Sequence, residues 1–439
     1  MAEPLAAAPA SVAAAPAAPR GLLAAPLLCC GLRPFFLGGA LWSGLAILLW
    51  IGMLSGLLPM IDAPLAGTVW HAHELVWGFG MAAVTGFLLT SIPEFTASAD
   101  YPPRDTAVLV TLWLAGRLFG VAGLAVATGA WVWLAAACNL ALVGWLAARI
   151  VPRLLRQPEH RHLSFALAVL TLLALEASFW FELARGGDGL RWVNALLGVM
   201  LALIVLSQSR VSTRLLHGLL DRFGVHEHDY RAPPPRRALA IVCIAVVSAA
   251  ELLGVAAPTL GWLALAAAAA VLALMTDWHF GRALANRWVW PLYAVYLCMV
   301  GGFVLLGLAW LGAPWAPSAG RHLLTAGAMG VAVMVVFNIA GRIHAGRQLD
   351  DRRWRLVAIA LVLAAAGARL AAGIPQLGLL GPLAWWWIAS LCWAGAWLLY
   401  AGYAWPHLAG ARTDGGHGCE EVREADAPPA LPAVSSGAR

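Results

Sequence analysis

The stretch Val69–Phe95, VWHAHELVWGFGMAAVTGFLLTSIPEF, decides how this chain is read. Two histidines and a glutamate stand at the mouth of an apolar run long enough to cross a bilayer, which takes about 20 residues at 1.5 Å each. Imidazole and carboxylate are costly beside lipid, so the run is a transmembrane helix with polar groups held at its end for a purpose.

Working outward, the rest of the 439 residues is built alike. The chain is 62% hydrophobic and 11% charged, with a mean hydropathy of +0.79, so its solvent is lipid. Twelve apolar runs can be marked, roughly at 35–58, 70–92, 105–127, 131–150, 162–184, 190–209, 237–256, 260–279, 288–312, 320–340, 355–374 and 382–404. The seventh and eighth nearly merge. The runs are unbroken rather than alternating, which excludes a transmembrane β-barrel. The expected fold is therefore all-α, a polytopic bundle of about 12 transmembrane helices over residues 35–405. Ala/Pro-rich residues 1–34 and polar residues 406–439 read as disordered cytoplasmic tails.

Orientation follows from arginine, the only basic residue apart from histidine in a chain of net charge +6. Loops after even-numbered runs hold Arg153, Arg156 and Arg161, then Arg210 through Arg237, then Arg282 and Arg287, then Arg342 through Arg355. Loops after odd-numbered runs hold only Arg185, Arg191 and Arg321. By the positive-inside rule both termini are cytoplasmic. No basic run interleaves with aromatics, so nucleic acid is not an expected partner; the bilayer is. Residues 210–236 carry Leu215, Leu216, Leu219, Leu220 and Phe223 at helical spacing, an amphipathic helix expected on the cytoplasmic surface. The HEHDY segment that follows, 226–230, reads as a solvated loop or a chelating one.

This orientation puts His71, His73 and Glu74 at the periplasmic end of the second run, and Arg321 and His322 at the same depth on the tenth. His344 falls about 22 residues after His322, roughly 33 Å along a continuing helix, at the cytoplasmic face. Helical residues two apart point about 200° away from each other. If His71 and His73 are both helical they serve different centres, His71 pairing with Glu74 and His73 with Trp77. If the helix starts after His73, both rings can meet one ion. Imidazole is the commonest ligand for copper, zinc and haem iron, so the set reads as cofactor ligands or as a proton relay. Arg117, mid-run in the third span, either neutralises a haem propionate or pairs with a buried acid such as Glu176. Gly78, Gly80, Gly86, Gly327 and Gly330 suit a flat macrocycle or plain helix packing. The seven cysteines show no repeated spacing, and no disulfide framework or thiolate zinc site is expected. No c-type haem attachment motif is present, so any haem is expected to be held non-covalently, as b-type.

Five segments carry a family resemblance. GLRPFFLGGAL, WHAHELVWGF and GFLLTSIPEFT, in that order, resemble the opening of the NnrS family. LWLAGRLF around Arg117 resembles its third span, and HLLTAGAMGVAVMVVFNIAGRIHAGRQL resembles its tenth. The resemblance implies a bacterial inner-membrane protein containing haem and copper and linked to nitric oxide and nitrosative stress during denitrification. It implies His71, His73, His322 and His344 as cofactor ligands, with Glu74 among the metal ligands, and Arg33, Arg117 and Arg342 as counter-charges to propionates. Departures are Tyr293 where the ninth span of the family has histidine, Ile339 where an arginine is expected with Arg342 offset by three, and SRVSTR, which keeps Arg210 but lacks a proline. A secondary transporter and a cofactor-free assembly or signalling subunit are the rival readings; the histidines at helix ends and the absence of an obvious repeat argue against the first.

Overall fold

The structure is a computed structural model. It describes residues 21–59, 65, 67–125, 129–158, 162–222, 234–275, 286–349, 352–374, 379–416, 418 and 419. Twelve long helices account for the fold: α1 Leu32–Leu54, α2 Gly67–Thr96, α3 Pro103–Ala125, α4 Ala130–Leu155, α5 Leu163–Ala184, α6 Leu190–Arg222, α7 Pro234–Leu252, α8 Ala257–Met275, α9 Trp290–Trp310, α10 Pro317–Ile343, α11 Trp354–Gly373 and α12 Pro382–Leu408. Each expected apolar run is one helix, and no strand occurs among the described residues.

Eleven of these helices are long and apolar enough to cross a membrane. The remaining one, α7, matches α8 in length at 19 residues but carries Arg236 and Arg237 near its start and Glu251 near its end. At 1.5 Å per residue it is about 28 Å long, close to the thickness of the hydrocarbon core. It packs between α6 and α8 as a member of the bundle.

Successive helices pack on one another, and α12 returns to lie against α1. The helices that carry His71 and His322, α2 and α10, are the inner ones: 78% and 67% of their apolar windows are buried, against 33–56% for the other spans. Both carry the same irregularity just inside the end where they begin. In α2 a π-type turn covers Glu74–Gly78, directly after His73; in α10 one covers Leu323–Met329, directly after His322. Such turns insert an extra residue into the helical ladder and re-aim the side chains around them.

The glycines named above are consumed by packing. A Cβ on Gly86 would meet Phe35 and Phe36 at 3.1 Å, one on Gly327 would meet Cys298 at 3.0 Å, and one on Gly330 would meet Trp393 at 2.7 Å. Small residues here let helices touch. The amphipathic segment after residue 210 continues α6 without a break to Arg222, with Leu216 buried. Phe223 and HEHDY lie outside the described residues.

The ends of the bundle are tied down. Arg33 is fully buried, and its guanidinium donates to the carbonyls of Pro26, Leu408, Gly410 and His344 at 2.8–3.4 Å. Residues 409–416 therefore rest against the bundle, where a buried Arg412–Asp414 ion pair at 2.6 Å steadies them. The cysteine reading needs correction here. Cys30 and Cys419, 389 residues apart, form a disulfide. Sequence spacing gives no hint of a pair that only the return of the chain after α12 brings together.

Candidate functional site: an imidazole pair in a cavity at one end of the bundle

Both His71 and His73 lie on the helical start of α2, so their side chains leave the helix in opposite directions. His71 faces α1 and α10. Its ring stacks on Trp50 at 4.8 Å and approaches His322 to 6.3 Å between ring centroids, with the planes 18° apart. Two imidazoles gripping one ion at about 2.0 Å per bond place their centroids roughly 6 Å apart.

The two rings line a cavity of about 460 Å³, within the range of roughly 300–1,000 Å³ usual for small-molecule and cofactor sites. Trp50, Trp386 and Trp393 form flat walls, and the cations at its edge are Arg321 and Arg369. Two polar nitrogens at the cavity, His71 Nδ1 and Trp386 Nε1, are buried without a hydrogen-bond partner. A buried nitrogen left unpaired costs about 1–3 kcal/mol, so such groups mark places where a ligand completes the site.

His322 is oriented by its own helix. Its Nδ1 lies 2.7 Å from the Ser318 carbonyl and donates to it, which directs the Nε2 lone pair outward. Nη2 of Arg369 sits 3.3 Å from Nδ1 and 3.1 Å from Nε2. Near-equal distances to both nitrogens put it over the face of the ring, since an in-plane position would collide with the carbon between them. The in-plane lone pair therefore stays open to the cavity. Arg321 is held by Glu251 at 2.6 Å, and Asn194 donates to the same carboxylate at 3.2 Å.

His73 belongs elsewhere. It is fully buried, stacked on Phe179 at 4.7 Å, with Nδ1 3.2 Å from Glu74 Oε1 and Nε2 3.1 Å from Glu176 Oε1. The other oxygen of Glu74 is ion-paired with Arg117, 3.2 Å from its Nε; Arg117 donates to Asn139 at 2.6 Å, and Trp180 donates to Glu176 at 2.6 Å. This is a buried polar network between α2, α3, α4 and α5, with both His73 nitrogens engaged by carboxylates, although Arg117 Nη1, Asn139 Nδ2 and Glu176 Oε2 are buried without a hydrogen-bond partner. Glu74 pairs with Arg117 and His73 rather than with His71, because the π turn that begins at Glu74 re-aims its side chain. Arg117 is paired with a buried acid, which is Glu74 rather than Glu176.

Of the sequence candidates, then, His71 and His322 meet, while His73, Glu74 and Arg117 form a second cluster. Arg33 and His344 lie at the opposite end of the bundle, where Arg342 donates to the Gln348 carbonyl at 2.9 and 3.0 Å. Sequence reasoning missed Arg369, although a lone cation inside the eleventh apolar run is the same signal that marked Arg117.

No curated protein matches the chain. A family model described as NnrS protein matches residues 26–412, covering the whole bundle, and the chain belongs to that family.

Proposed function

We propose that this multi-pass membrane protein resides in a bacterial inner membrane, with the His71–His322 cavity on the periplasmic side, and binds haem and copper in nitric oxide metabolism or resistance to nitrosative stress. The observation that carries the reading is the pair of near-parallel imidazoles, one with an orphaned Nδ1, meeting in a cofactor-sized cavity. The donor set fits. Neutral imidazole suits both haem iron and copper, the tryptophan walls suit a flat macrocycle, and Arg321 and Arg369 suit its carboxylates.

His71 and His322 would hold the metal, the first ring steadied by stacking on Trp50 and the second by its hydrogen bond to the Ser318 carbonyl. When bound, the group would supply an iron or copper centre able to bind nitric oxide. The apolar wall, with Ile47, Leu75, Val76 and Phe79 among its residues, excludes water and admits a small apolar gas from the lipid without a polar channel. The His73–Glu74–Arg117–Glu176 network sits one helix face away and fixes the start of α2, and with it the direction of His71.

The purified protein should show a Soret band and contain copper by elemental analysis. A colourless, metal-free protein would overturn the proposal and favour a cofactor-free subunit.

A further inference from the structure

At the opposite end of the bundle three side chains from distant parts of the chain converge. Cys30 precedes α1, His344 follows α10, and Cys419 lies beyond α12. Their ligand atoms all lie within 4.8 Å of one another, and Cys30 and His344 are buried. Three such atoms around one tetrahedral ion, bonded at about 2.0–2.3 Å, stand roughly 3.5–3.8 Å apart, so small side-chain adjustments bring them into a first coordination sphere. The Thr90 hydroxyl sits 3.7 Å from Cys30 Sγ and 3.9 Å from Cys419 Sγ, leaving a fourth position on its side of the cluster.

The surroundings are built to hold this arrangement. His344 Nδ1 lies 2.8 Å from the Cys419 carbonyl, and the Cys419 amide donates to Asp100 at 3.2 Å. The guanidiniums of Arg33 and Arg412 both donate to the His344 carbonyl, at 3.2 and 3.4 Å. Positive charge of this kind favours thiolates over thiols. Two thiolates and an imidazole select soft cations over hard ones. Cys419 lies beyond residue 412, where the family match ends.

We propose that Cys30, Cys419 and His344 form a second metal site, selective for a thiophilic d10 cation of the zinc type, which the chain holds as a dithiolate and releases on oxidation to the disulfide seen in the structure. The release step is a thiol–disulfide exchange with a low-molecular-weight disulfide. The two cysteine sulfurs give up two electrons and join; the S–S bond of the oxidant breaks, and its two sulfurs leave as thiols after taking two protons from water. The cation, having lost both anionic ligands, departs past the half-buried Cys419. The arginine-rich end that carries the site is the one the positive-inside rule assigns to the reducing cytoplasm, where the dithiolate form prevails.

The test uses the full-length protein in detergent, reduced with a phosphine, stripped by chelator and titrated with Cd(II). One equivalent should bind with a sulfur-to-cadmium charge-transfer band, and glutathione disulfide should release it. Cys30→Ser and Cys419→Ser should each abolish the band. His344→Gln should keep it and weaken binding by about one to two orders of magnitude. Cys29→Ser should change nothing. In the unmutated protein, Cd(II) should protect Cys30 and Cys419 together from alkylation, a readout that does not depend on any variant folding. Absence of the band at one equivalent, its survival in Cys30→Ser, or equal alkylation with and without Cd(II) would each sink the proposal. An imidazole-only site at the other end gives no such band, so the two sites are read separately.

Discussion

His71 and His322 approach within 6.3 Å although they belong to α2 and α10, helices that meet because both are drawn to the middle of the bundle. Each histidine stands just ahead of a π-type turn, and each turn sits just inside the same end of the bundle. Burial of the two helices is driven by their apolar faces and small residues; the aim of the two rings is set by the turns. The cavity between them follows from the combination.

Replacing either imidazole tests that relationship directly. His71→Ala and His322→Ala should each strip the outer centre of most of its bound metal or haem, read as loss of the Soret band or of copper per mole of purified protein. Because each ring already borders open space, the fold should survive with a cost of about 1–2 kcal/mol, below the large losses seen when a fully packed side chain is removed. His73→Ala should do the opposite: it leaves Glu74 and Glu176 facing each other without their shared partner, lowering thermal stability first and cofactor content only as a consequence.

The buried ion pair gives a second prediction. Glu74 and Arg117 are 1% exposed, and removing one partner strands a charge among helices. Arg117→Met or Glu74→Leu alone should each cost about 3–5 kcal/mol, whereas removing both should cost clearly less than the sum. Thermal unfolding in detergent of the two single variants and the double measures the coupling. Additive losses would mean that the two groups do not act as a pair.

Arg369 supplies a third. If it balances an anionic group in the cavity while lying over the His322 ring, Arg369→Gln should weaken cofactor retention with little change in melting temperature, and Arg369→Lys should restore only part, since a point charge cannot stack on an imidazole face as a planar guanidinium does. Equal retention in Gln, Lys and parent proteins would show that the cation is there for packing alone.

Much of this was legible in the sequence, for physical reasons. Run length marks a membrane helix almost unaided, because a lipid core tolerates no unsatisfied backbone, and each expected run is a helix in the structure. The divergence of His71 from His73 follows from the 100° step per residue once both are helical. The partner of Glu74 does not, because a π turn adds a residue and shifts every wheel position around it, and nothing in ELVWG announces the turn. The resemblance implies Arg33 as a counter-charge to a propionate, yet it caps carbonyls from three segments. That role depends on where the chain after α12 comes to rest, as does the meeting of Cys30 with Cys419. Local pattern carries element identity; the return of distant segments carries the sites at both ends.

A glycine pair provides the last prediction and separates packing from propensity. A Cβ at Gly78 would fall onto Arg117 Nη1, 2.8 Å from Glu74 Oε2 and 3.1 Å from Trp42 Nε1, so it presses on the ion pair rather than on a flexible side-chain end with room to move. At Gly144, in α4, nothing lies within 4 Å of the same atom. Gly78→Ala should therefore lower stability by about 1–3 kcal/mol through overpacking. Gly144→Ala should be neutral or stabilising by up to about 1 kcal/mol, from the lower backbone entropy of alanine in a helix. Melting temperatures of the two variants, compared in one detergent, give the signs. If Gly78→Ala were as harmless as Gly144→Ala, Arg117 and Glu74 would have to be free to move apart, and the network that fixes the start of α2 would not be rigid enough to aim His71.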